Sequence, residues 1–306
     1  MLRALALTLD LDGPAEYAGI HGLANADGNP LLMYGGPLAR FVELCAAIGA
    51  KGTLFAIGRD ARDEAATALR KCAALGFEVG NHSFEHDYAL SRRTLPEICG
   101  ELRHAQTSLA DAVGVPPVGM RAPGYNLSPT VLDAAEEVGF AYDSSVLPSP
   151  SYYAAKAGVL ALYRLTGRTS TSILGSPSLA LAPRAPYRPG LNPWTSGDRH
   201  LVELPIAVAT PARLPVTGAS LLLTPPSLRA LLVRSLARET VLVINLHAIE
   251  LADPEADGLP TEIVRRQPEL RRSLSERQQV LREVLGQLAS GREILTCAEI
   301  AKRAAK

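Results

Sequence analysis

The residues best suited to chemistry fall in four short polar clusters along the 306-residue chain. Each cluster follows a short apolar segment, and together they supply carboxylates, imidazoles and a guanidinium, the groups that bind metal ions and move protons. The clusters are 8–13 (TLDLDG), 81–86 (NHSFEH), 121–125 (RAPGY) and 245–247 (NLH).

The second cluster contains the pair His82 and His86, which is the strongest metal-ligand signal in the chain. Two histidines four residues apart project to one face of a helical turn and can hold a single ion at about 2.0–2.1 Å, the distance expected for imidazole on zinc. The spacing alone also fits two partly exposed histidines on a loop. We expect Glu85, which lies between them, to be exposed rather than ligating.

The first cluster contains Asp10 and Asp12, which share one face of the predicted first strand because side chains alternate with a period of two. Two carboxylates that close repel each other unless a positive charge lies between them or one is protonated. A metal ion would supply that charge, with one carboxylate as a ligand and the other free as a base. The alternative is a pair that caps the turn before Gly13 and Pro14.

The remaining clusters contain Arg121 and His247. An arginine can pair with a carboxylate and lower its pKa, and a histidine can act as a general acid near neutral pH. Each also has a plain structural interpretation, as a surface arginine or a histidine that caps a strand. All four clusters are expected at the same ends of successive parallel strands, where α/β barrels carry their active sites.

Short apolar strands alternate with longer helical patterns, which favours an α/β fold around a parallel sheet. Prolines near several helix starts and glycines after helix ends support this division. We predict insertions at 13–36 and 144–200. The predicted strands are 4–11, 52–57, 77–80, 119–121, 140–142, 201–205 and 241–246, and the predicted helices are 37–48, 60–75, 96–113, 129–138, 226–238, 275–288 and 298–305.

The composition of the chain restricts the kinds of partner and the cellular compartment that we expect. Lys and Arg number 31 and Asp and Glu also number 31, so no global field favours nucleic acid. The four cysteines form no Cys-x-x-Cys pair and are expected to be reduced thiols of a cytoplasmic protein. Asp10 and Asp12 interrupt the apolar run at the N-terminus, which we interpret as a strand rather than a signal peptide. No stretch approaches about 18 uninterrupted apolar residues.

In this order and at these intervals, the four motifs resemble those of the family 4 carbohydrate esterases, the polysaccharide deacetylases with a NodB-homology domain, in the branch with an Asp-x-Asp strand end. The resemblance extends over nearly the whole chain. It implies a single catalytic domain over 1–306 that forms a distorted (β/α) barrel with about seven parallel strands. It further implies metal-dependent hydrolysis of an acetyl group, N- or O-linked, on a sugar. The expected cytoplasmic location favours a sugar that belongs to a lipid-linked or polysaccharide precursor.

The resemblance also assigns roles to residues. The ion it implies is one divalent metal, and a site of one carboxylate and two imidazoles favours zinc over Co²⁺, Ni²⁺ or Mn²⁺. The family's Asp-and-Trp motif that orients the acid histidine is missing from 201–205, so Asp143 and Glu250 are the candidates to replace it. The matched positions are Asp10 as the base, Asp12, His82 and His86 as the metal ligands, Arg121 as the partner of the base, the Tyr125 backbone N–H as the oxyanion donor and His247 as the acid.

The stretch 144–238 has an unusual charge pattern. It holds ten basic residues against two acidic ones, a net charge of +8, together with Tyr152, Tyr153 and the leucines of 221–223. This mixture suits the surface of an anionic bilayer or a pyrophosphate-linked lipid, and the alternative is an ordinary barrel wall with a cationic outer face. We therefore expect an acylated amino sugar or a glycolipid as substrate, with peripheral association at the inner face of the membrane.

Two other functions are compatible with the same residues. One is a deformylase acting on a formamido sugar that is linked to a polyprenyl phosphate, which needs only a smaller acyl pocket. The other is a barrel that binds a glycolipid without turnover, because the family's acid-orienting motif is absent.

Overall fold

Apolar strands and amphipathic helices alternate along the chain. The structure is a computed structural model, and it describes residues 2–23 and 28–305. The strands are β1 (Ala4–Asp10), β2 (Thr53–Ala56), β3 (Glu78–Asn81), β4 (Gly119–Met120), β5 (Tyr142–Asp143), β6 (Val202–Glu203), β7 (Val208–Ala209), β8 (Leu214–Pro215), β9 (Val241–His247) and β10 (Glu293–Ile294). The helices are α1 (Pro14–His21), α2 (Gly36–Ala47), α3 (Asp63–Ala74), α4 (Leu95–Val113), α5 (Pro129–Val138), α6 (Pro150–Leu165), α7 (Gly218–Leu223), α8 (Pro226–Leu236), α9 (Thr261–Arg266), α10 (Leu274–Ala289) and α11 (Cys297–Ala304).

Strand β1 lies at the centre of a curled parallel sheet. On one side it pairs with β9 along its full length, from Ala4 opposite Val241 to Asp10 opposite His247. On the other side β10 pairs with the start of β1 and β2 pairs with its end. The sheet continues in parallel through β3, β4, β5 and β6. The predicted distorted (β/α) barrel with about seven parallel strands is confirmed, and the two-residue β10 fills the space beside the start of β1.

The open edge of the sheet approaches β9. After β6, the Ala207 amide donates a hydrogen bond of 2.9 Å to the Val243 carbonyl. Strands β7 and β8 then form a small antiparallel pair outside the main sheet. The sheet therefore curls far enough for its two ends to meet at one backbone hydrogen bond.

The alternation along β1 explains how it positions the site. Leu5, Leu7 and Leu9 face outward and belong to the largest apolar cluster, which the surrounding helices cover. Ala4 and Ala6 face inward and pack in a separate cluster with Phe55 and Tyr142. Because side chains alternate in a strand, Thr8 and Asp10 share the inward face with the two alanines. The carboxylate therefore ends a row of small side chains that leads up the barrel interior.

The two predicted insertions contain helices that the sequence analysis did not identify. Helix α1 lies in 13–36, and residues 24–27 of that insertion lie outside the described residues. The 16-residue helix α6 lies in 144–200, and the Ser149 hydroxyl accepts a hydrogen bond from the Tyr152 amide at its start. Within residues 2–23 and 28–305, no helix is both long enough and apolar enough to cross a bilayer.

Candidate metal centre and active site

The two histidines converge through a tight loop, and the predicted helical turn at this position is wrong. Residues 82–86 follow β3 with positive φ at Ser83 (61°) and His86 (54°), which is the left-handed region rather than the α-helical one. Side-chain hydrogen bonds hold this loop, since Asn81 Oδ1 accepts from the Ser83 amide at 2.8 Å and Ser83 Oγ accepts from the His86 amide at 3.0 Å. The chain reverses within five residues, and both rings point to the same space.

Asp12, His82 and His86 place three donor atoms at the corners of a nearly equilateral triangle. Asp12 Oδ1 lies 3.2 Å from each Nε2, and the two Nε2 atoms lie 3.2 Å apart. Ligands at about 2.0–2.1 Å from a tetrahedral centre are about 3.3–3.4 Å apart, so the triangle fits one face of such a site. Among the described residues this is the group whose donor atoms are close enough to hold a metal ion.

Two further observations fit a cation at this triangle. His82 Nδ1 lies 2.7 Å from the Arg121 carbonyl, which accepts its proton and leaves the Nε2 lone pair free for a metal. Asp12 Oδ1 is buried with no hydrogen-bond donor among the described residues. Burial would raise the pKa of Asp12, but His86 and His82 hold it well below its usual value. The donor set is therefore that of a divalent ion site.

Glu85 stands apart from this triangle. Its side chain is half exposed, and Oε2 pairs with Arg59 at 3.2 Å. The prediction that Glu85 is exposed is confirmed.

Asp10 lies beside the triangle as a buried, fully paired carboxylate. Its Oδ1 accepts from Arg121 at 2.6 Å and its Oδ2 accepts from the Asn245 amide nitrogen at 2.9 Å. Burial opposes ionisation of this group, but the positive charges of Arg121, His82 and His247 together keep the pKa of Asp10 below its usual value. Asp10 is therefore ionised near neutral pH.

Arg121 is completely buried, and this excludes the alternative of a surface arginine. Its guanidinium carbon lies 4.1 Å from the centre of the Phe55 ring. Its Nε and Nη2 donate to the carbonyl and the hydroxyl of Ser144 at 2.8 and 2.9 Å. These contacts fix the planar group so that Nη1 points at Asp10.

His247 ends β9 opposite Asp10. Its Nε2 lies 3.6 Å from Asp10 Oδ2 and 3.9 Å from Asp12 Oδ2, and a quarter of the side chain is exposed. Glu250 lies behind it, because Glu250 Oε2 accepts from the His247 amide at 3.1 Å and Oε1 lies 3.9 Å from Nδ1. The structure thus places Glu250 beside the histidine.

The other orienting candidate, Asp143, lies elsewhere. Its carboxylate accepts from the Ser145 hydroxyl at 2.6 Å, and it faces Glu203 across β5 and β6. Both carboxyls are fully buried, and burial first and their mutual repulsion second raise the pKa of Glu203 well above its usual value. While both are ionised, Glu203 Oε2 has no donor among the described residues. A proton on one carboxyl would supply the missing hydrogen bond.

Tyr125 lies at the site through its side chain. Its phenol oxygen accepts from the Asn245 amide nitrogen at 2.6 Å. Its backbone N–H donates to the Ala122 carbonyl at 3.2 Å, so in this structure the predicted oxyanion donor is engaged within its own turn.

A cavity of about 490 Å³ opens above these groups. Asp10, Asp12, His82 and His247 line its floor. The wall is more apolar and comes largely from α6 and its neighbours: Ile20, Tyr152, Val159, Leu160, Tyr163 and Leu223.

Residues 35–142, which include His82, His86 and Arg121, match the family model described as polysaccharide deacetylase. The chain contains a polysaccharide deacetylase domain. No curated protein matches the chain by sequence. A polysaccharide deacetylase domain places the chain among the deacetylase-type hydrolases, in agreement with the sequence analysis.

Solved structures resemble the chain in fold. A protein from Mycobacterium smegmatis described as a polysaccharide deacetylase is 18% identical, with a TM-score of 0.60 over 98% of this chain and 89% of the other. A family 4 acetyl xylan esterase from Clostridium thermocellum, solved with a cobalt ion, is 17% identical, with a TM-score of 0.51 over 98% of this chain and 91% of the other. At these identities the likeness concerns the fold.

Asn245 is a residue of this site to which the sequence analysis gave no role. Its amide group connects Asp10, Tyr125 and Arg121, and its Oδ1 also accepts from the Thr8 hydroxyl at 2.7 Å. The signal was its position in the NLH cluster, but its partners follow only from the register of β1 and β9, which sets Thr8 opposite Asn245. Sequence spacing alone could not supply that register.

Proposed function

We propose that the deacetylase domain removes an acetyl group from the nitrogen or oxygen of a sugar in a metal-dependent hydrolysis. The observation that carries this proposal is the 3.2 Å triangle of Asp12, His82 and His86, with Asp10 and His247 beside it at the floor of one cavity. Zinc suits the donor set best, and Co²⁺, Ni²⁺ and Mn²⁺ are alternatives. The chemistry that such an ion supplies is Lewis acidity, which polarises a carbonyl and lowers the pKa of water.

Two side chains of the protein carry out the two proton transfers. Asp10 is ionised and held in place by Arg121, so it can accept a proton from an attacking water without moving. His247 Nε2 faces the same cavity and can donate a proton to the departing nitrogen or oxygen. The role proposed for the Tyr125 amide, donation to the developing oxyanion, requires it to release the Ala122 carbonyl when substrate binds.

We propose Glu250, rather than Asp143, as the residue that positions His247. Glu250 bonds to the His247 backbone and lies 3.9 Å from Nδ1, whereas Asp143 bonds to Ser145 and faces Glu203. A side-chain oxygen that accepts from the His247 backbone, with a second oxygen beside Nδ1, holds the orientation of the imidazole.

The alternatives are less well supported. The cavity of about 490 Å³ has no feature that restricts it to a formyl group, although a deformylase would use the same groups. The binding barrel without turnover explains neither the paired base nor the histidine beside it.

For the substrate we propose an acylated amino sugar, lipid-linked or a polysaccharide precursor, that the enzyme meets in the cytoplasm at the membrane surface. The four cysteines are unpaired and buried, which suits a reducing compartment. Exposed leucines on α6, Leu162 and Leu165, support contact with lipid. The net charge of +8 is partly offset, because Arg184 pairs with Glu239 and Arg199 pairs with acids on α5.

The test of this function is acetate release. Purified protein loaded with zinc should release acetate from N-acetylated glucosamine oligosaccharides or from O-acetylated sugars, and dialysis against a chelator should stop the release until metal is restored. Formate release from N-formyl sugars, without acetate release, would favour the deformylase. No acyl release from any of these sugars by the metal-loaded protein would contradict the proposed hydrolase.

A further inference from the structure

A second cavity, of about 380 Å³, adjoins the one above the metal triad. The two cavities share four lining residues and therefore lie side by side. The shared residues are Leu160, Tyr163, Ser170 and Ser172.

This second cavity is lined by three arginines, Arg92, Arg164 and Arg168, and by no acidic residue. Within the part of the chain that the structure describes, none of the three forms an ion pair, whereas the adjacent Arg93 pairs with Asp87 at 2.6 Å. Three like charges that line one concavity repel each other, and an anion that binds between them removes that repulsion. Guanidinium groups also match the geometry of phosphate oxygens.

Helix α6 connects this cluster to the catalytic cavity. Lys156, Leu160 and Arg164 follow each other at intervals of four and so lie along one side of the helix. Lys156 lines the catalytic cavity, its Nζ donates to the Gly124 carbonyl at 3.1 Å, and burial lowers its pKa to about 8. From Lys156 to Arg164 the helix rises about 12 Å.

The geometry points to a substrate whose acylated sugar is carried by a phosphate or diphosphate, with the sugar above the metal triad and the phosphate among Arg92, Arg164 and Arg168. This inference rests on the proposed deacetylation. It adds the chemical class of the group that carries the sugar, which stays attached when the acetyl group is removed. The phosphate belongs either to a nucleoside diphosphate or to a lipid diphosphate. Leu162 and Leu165, 56% and 85% exposed beside Arg164, favour the lipid.

The experiment compares kcat/KM for acetate release from three probes that share N-acetylglucosamine: its methyl glycoside, its uridine diphosphate conjugate and its diphosphate conjugate with a short prenol. We expect at least one diphosphate probe to exceed the methyl glycoside by about tenfold to a hundredfold, because charge-assisted arginine–phosphate contacts stabilise the bound probe by more than its desolvation and ordering cost. A preference for the prenyl probe identifies the lipid, and a preference for the uridine probe identifies the nucleotide.

The variant Arg92→Ala/Arg164→Ala/Arg168→Ala should lower the ratio of diphosphate to methyl-glycoside kcat/KM by about tenfold or more. The matched control is Arg234→Ala/Arg238→Ala/Arg282→Ala, which removes three exposed arginines outside both cavities and should keep the wild-type ratio. Equal kcat/KM for charged and neutral probes, or an unchanged ratio in the first triple variant, would overturn the inference while leaving the deacetylase intact.

A second measurement does not depend on turnover. Pyrophosphate binding to chelator-treated protein, followed by calorimetry at low ionic strength, should be at least about tenfold weaker in the first triple variant than in the control. If no probe is hydrolysed but this difference is present, the proposed function fails and the anion site stands. Equal binding by the two variants would contradict the anion site.

Discussion

Asp10 and Asp12 are two residues apart, yet their surroundings differ. Asp10 is paired with Arg121 and Asn245, so its charge is already balanced by the protein. Asp12 faces His82 and His86 and leaves Oδ1 without a donor among the described residues. These surroundings support the proposal that Asp10 accepts a proton and Asp12 binds a cation.

This division predicts opposite outcomes for two conservative changes. Asp10→Asn should keep about one divalent ion per chain and lower kcat by about 10²–10⁴-fold, because a base is lost but no ligand. Asp12→Asn should lose the ion, as should His82→Ala/His86→Ala. Elemental analysis and acetate release measure the two properties separately. An Asp10 variant without metal beside an Asp12 variant that retains it would mean that the roles are reversed.

Glu250 offers a second prediction at the residue scale. Glu250→Ala should lower kcat by about tenfold or more, because it removes the oxygen that accepts from the His247 amide and the oxygen that lies 3.9 Å from Nδ1, so the imidazole is no longer held in place. Glu250→Gln keeps an oxygen that can accept from the His247 amide and should recover part of that rate. The control is Asp143→Asn, which should leave kcat near the wild-type value. A wild-type kcat in Glu250→Ala would contradict a positioning role for Glu250.

At the scale of elements, the strands were predicted well and several helices were not. Most of the predicted strands are short apolar runs bounded by glycine or polar residues. Each of the seven predicted strands is present, with bounds that differ by a few residues. Helix α6 was missed because its sequence is apolar on nearly all sides, although Tyr153 is its one fully buried residue among those described. The barrel does not bury this helix, so its pattern carries no core-facing periodicity.

At the site, too, the sequence predicted only part of the arrangement. Residue types and spacing predicted which three residues form the triangle, but the loop that brings His82 and His86 together depends on positive φ at Ser83 and His86, and hydrophobic periodicity does not predict such a loop. The Asn245 network depends on strand register. Glu250 could be placed behind His247 only from the structure, in which Glu250 Oε2 lies so close to Gly218, the first residue of α7, that a Cβ at that position would collide with it.

The pairing of β5 with β6 yields a prediction about stability. Because Asp143 and Glu203 face each other in a buried register, the folded pair keeps a proton that the unfolded chain releases above about pH 4.3. The stability of the wild type should therefore fall as pH rises from the unfolded pKa toward the raised folded pKa of Glu203. Glu203→Gln carries an amide donor in place of that proton and avoids this loss.

We expect Glu203→Gln to be more stable than wild type by about 1 kcal/mol at pH 8 and equally stable at pH 4. Urea unfolding at the two pH values measures the difference. The exposed Glu262→Gln serves as the matched control and should change neither value. A difference of the same size at both pH values would exclude a shared proton.

At the scale of the whole molecule, the basic residues of 144–238 are distributed unevenly. Arg184 and Arg199 pair with acids from outside the stretch, whereas Arg164 and Arg168 stand beside exposed leucines on and just after α6. Charge and apolar exposure thus coincide at one end of the molecule, beside the opening of the cavities. This end is the one expected to meet a membrane.

We therefore predict reversible binding to vesicles of phosphatidylglycerol that weakens with salt. Each arginine near an anionic surface contributes about 1 kcal/mol, and the attraction is screened over about 8 Å at physiological ionic strength. Co-sedimentation should fall in Arg164→Glu/Arg168→Glu and remain in the control Arg282→Glu/Lys302→Glu, which reverses two exposed charges elsewhere. Recovery of all proteins in the supernatant at low salt would contradict membrane association.

The central position of β1 has a consequence for the order in which the enzyme matures. Asp12, His82 and His86 all lie within the first 86 residues, on segments that follow β1 and β3. The Asp10 network needs β9, and its link from Thr8 to Asn245 joins residues 237 positions apart. Contacts between such distant residues form late in folding because a long loop must first close. We therefore predict that the ion site can form before β9 pairs with β1, whereas proton transfer by Asp10 requires that pairing.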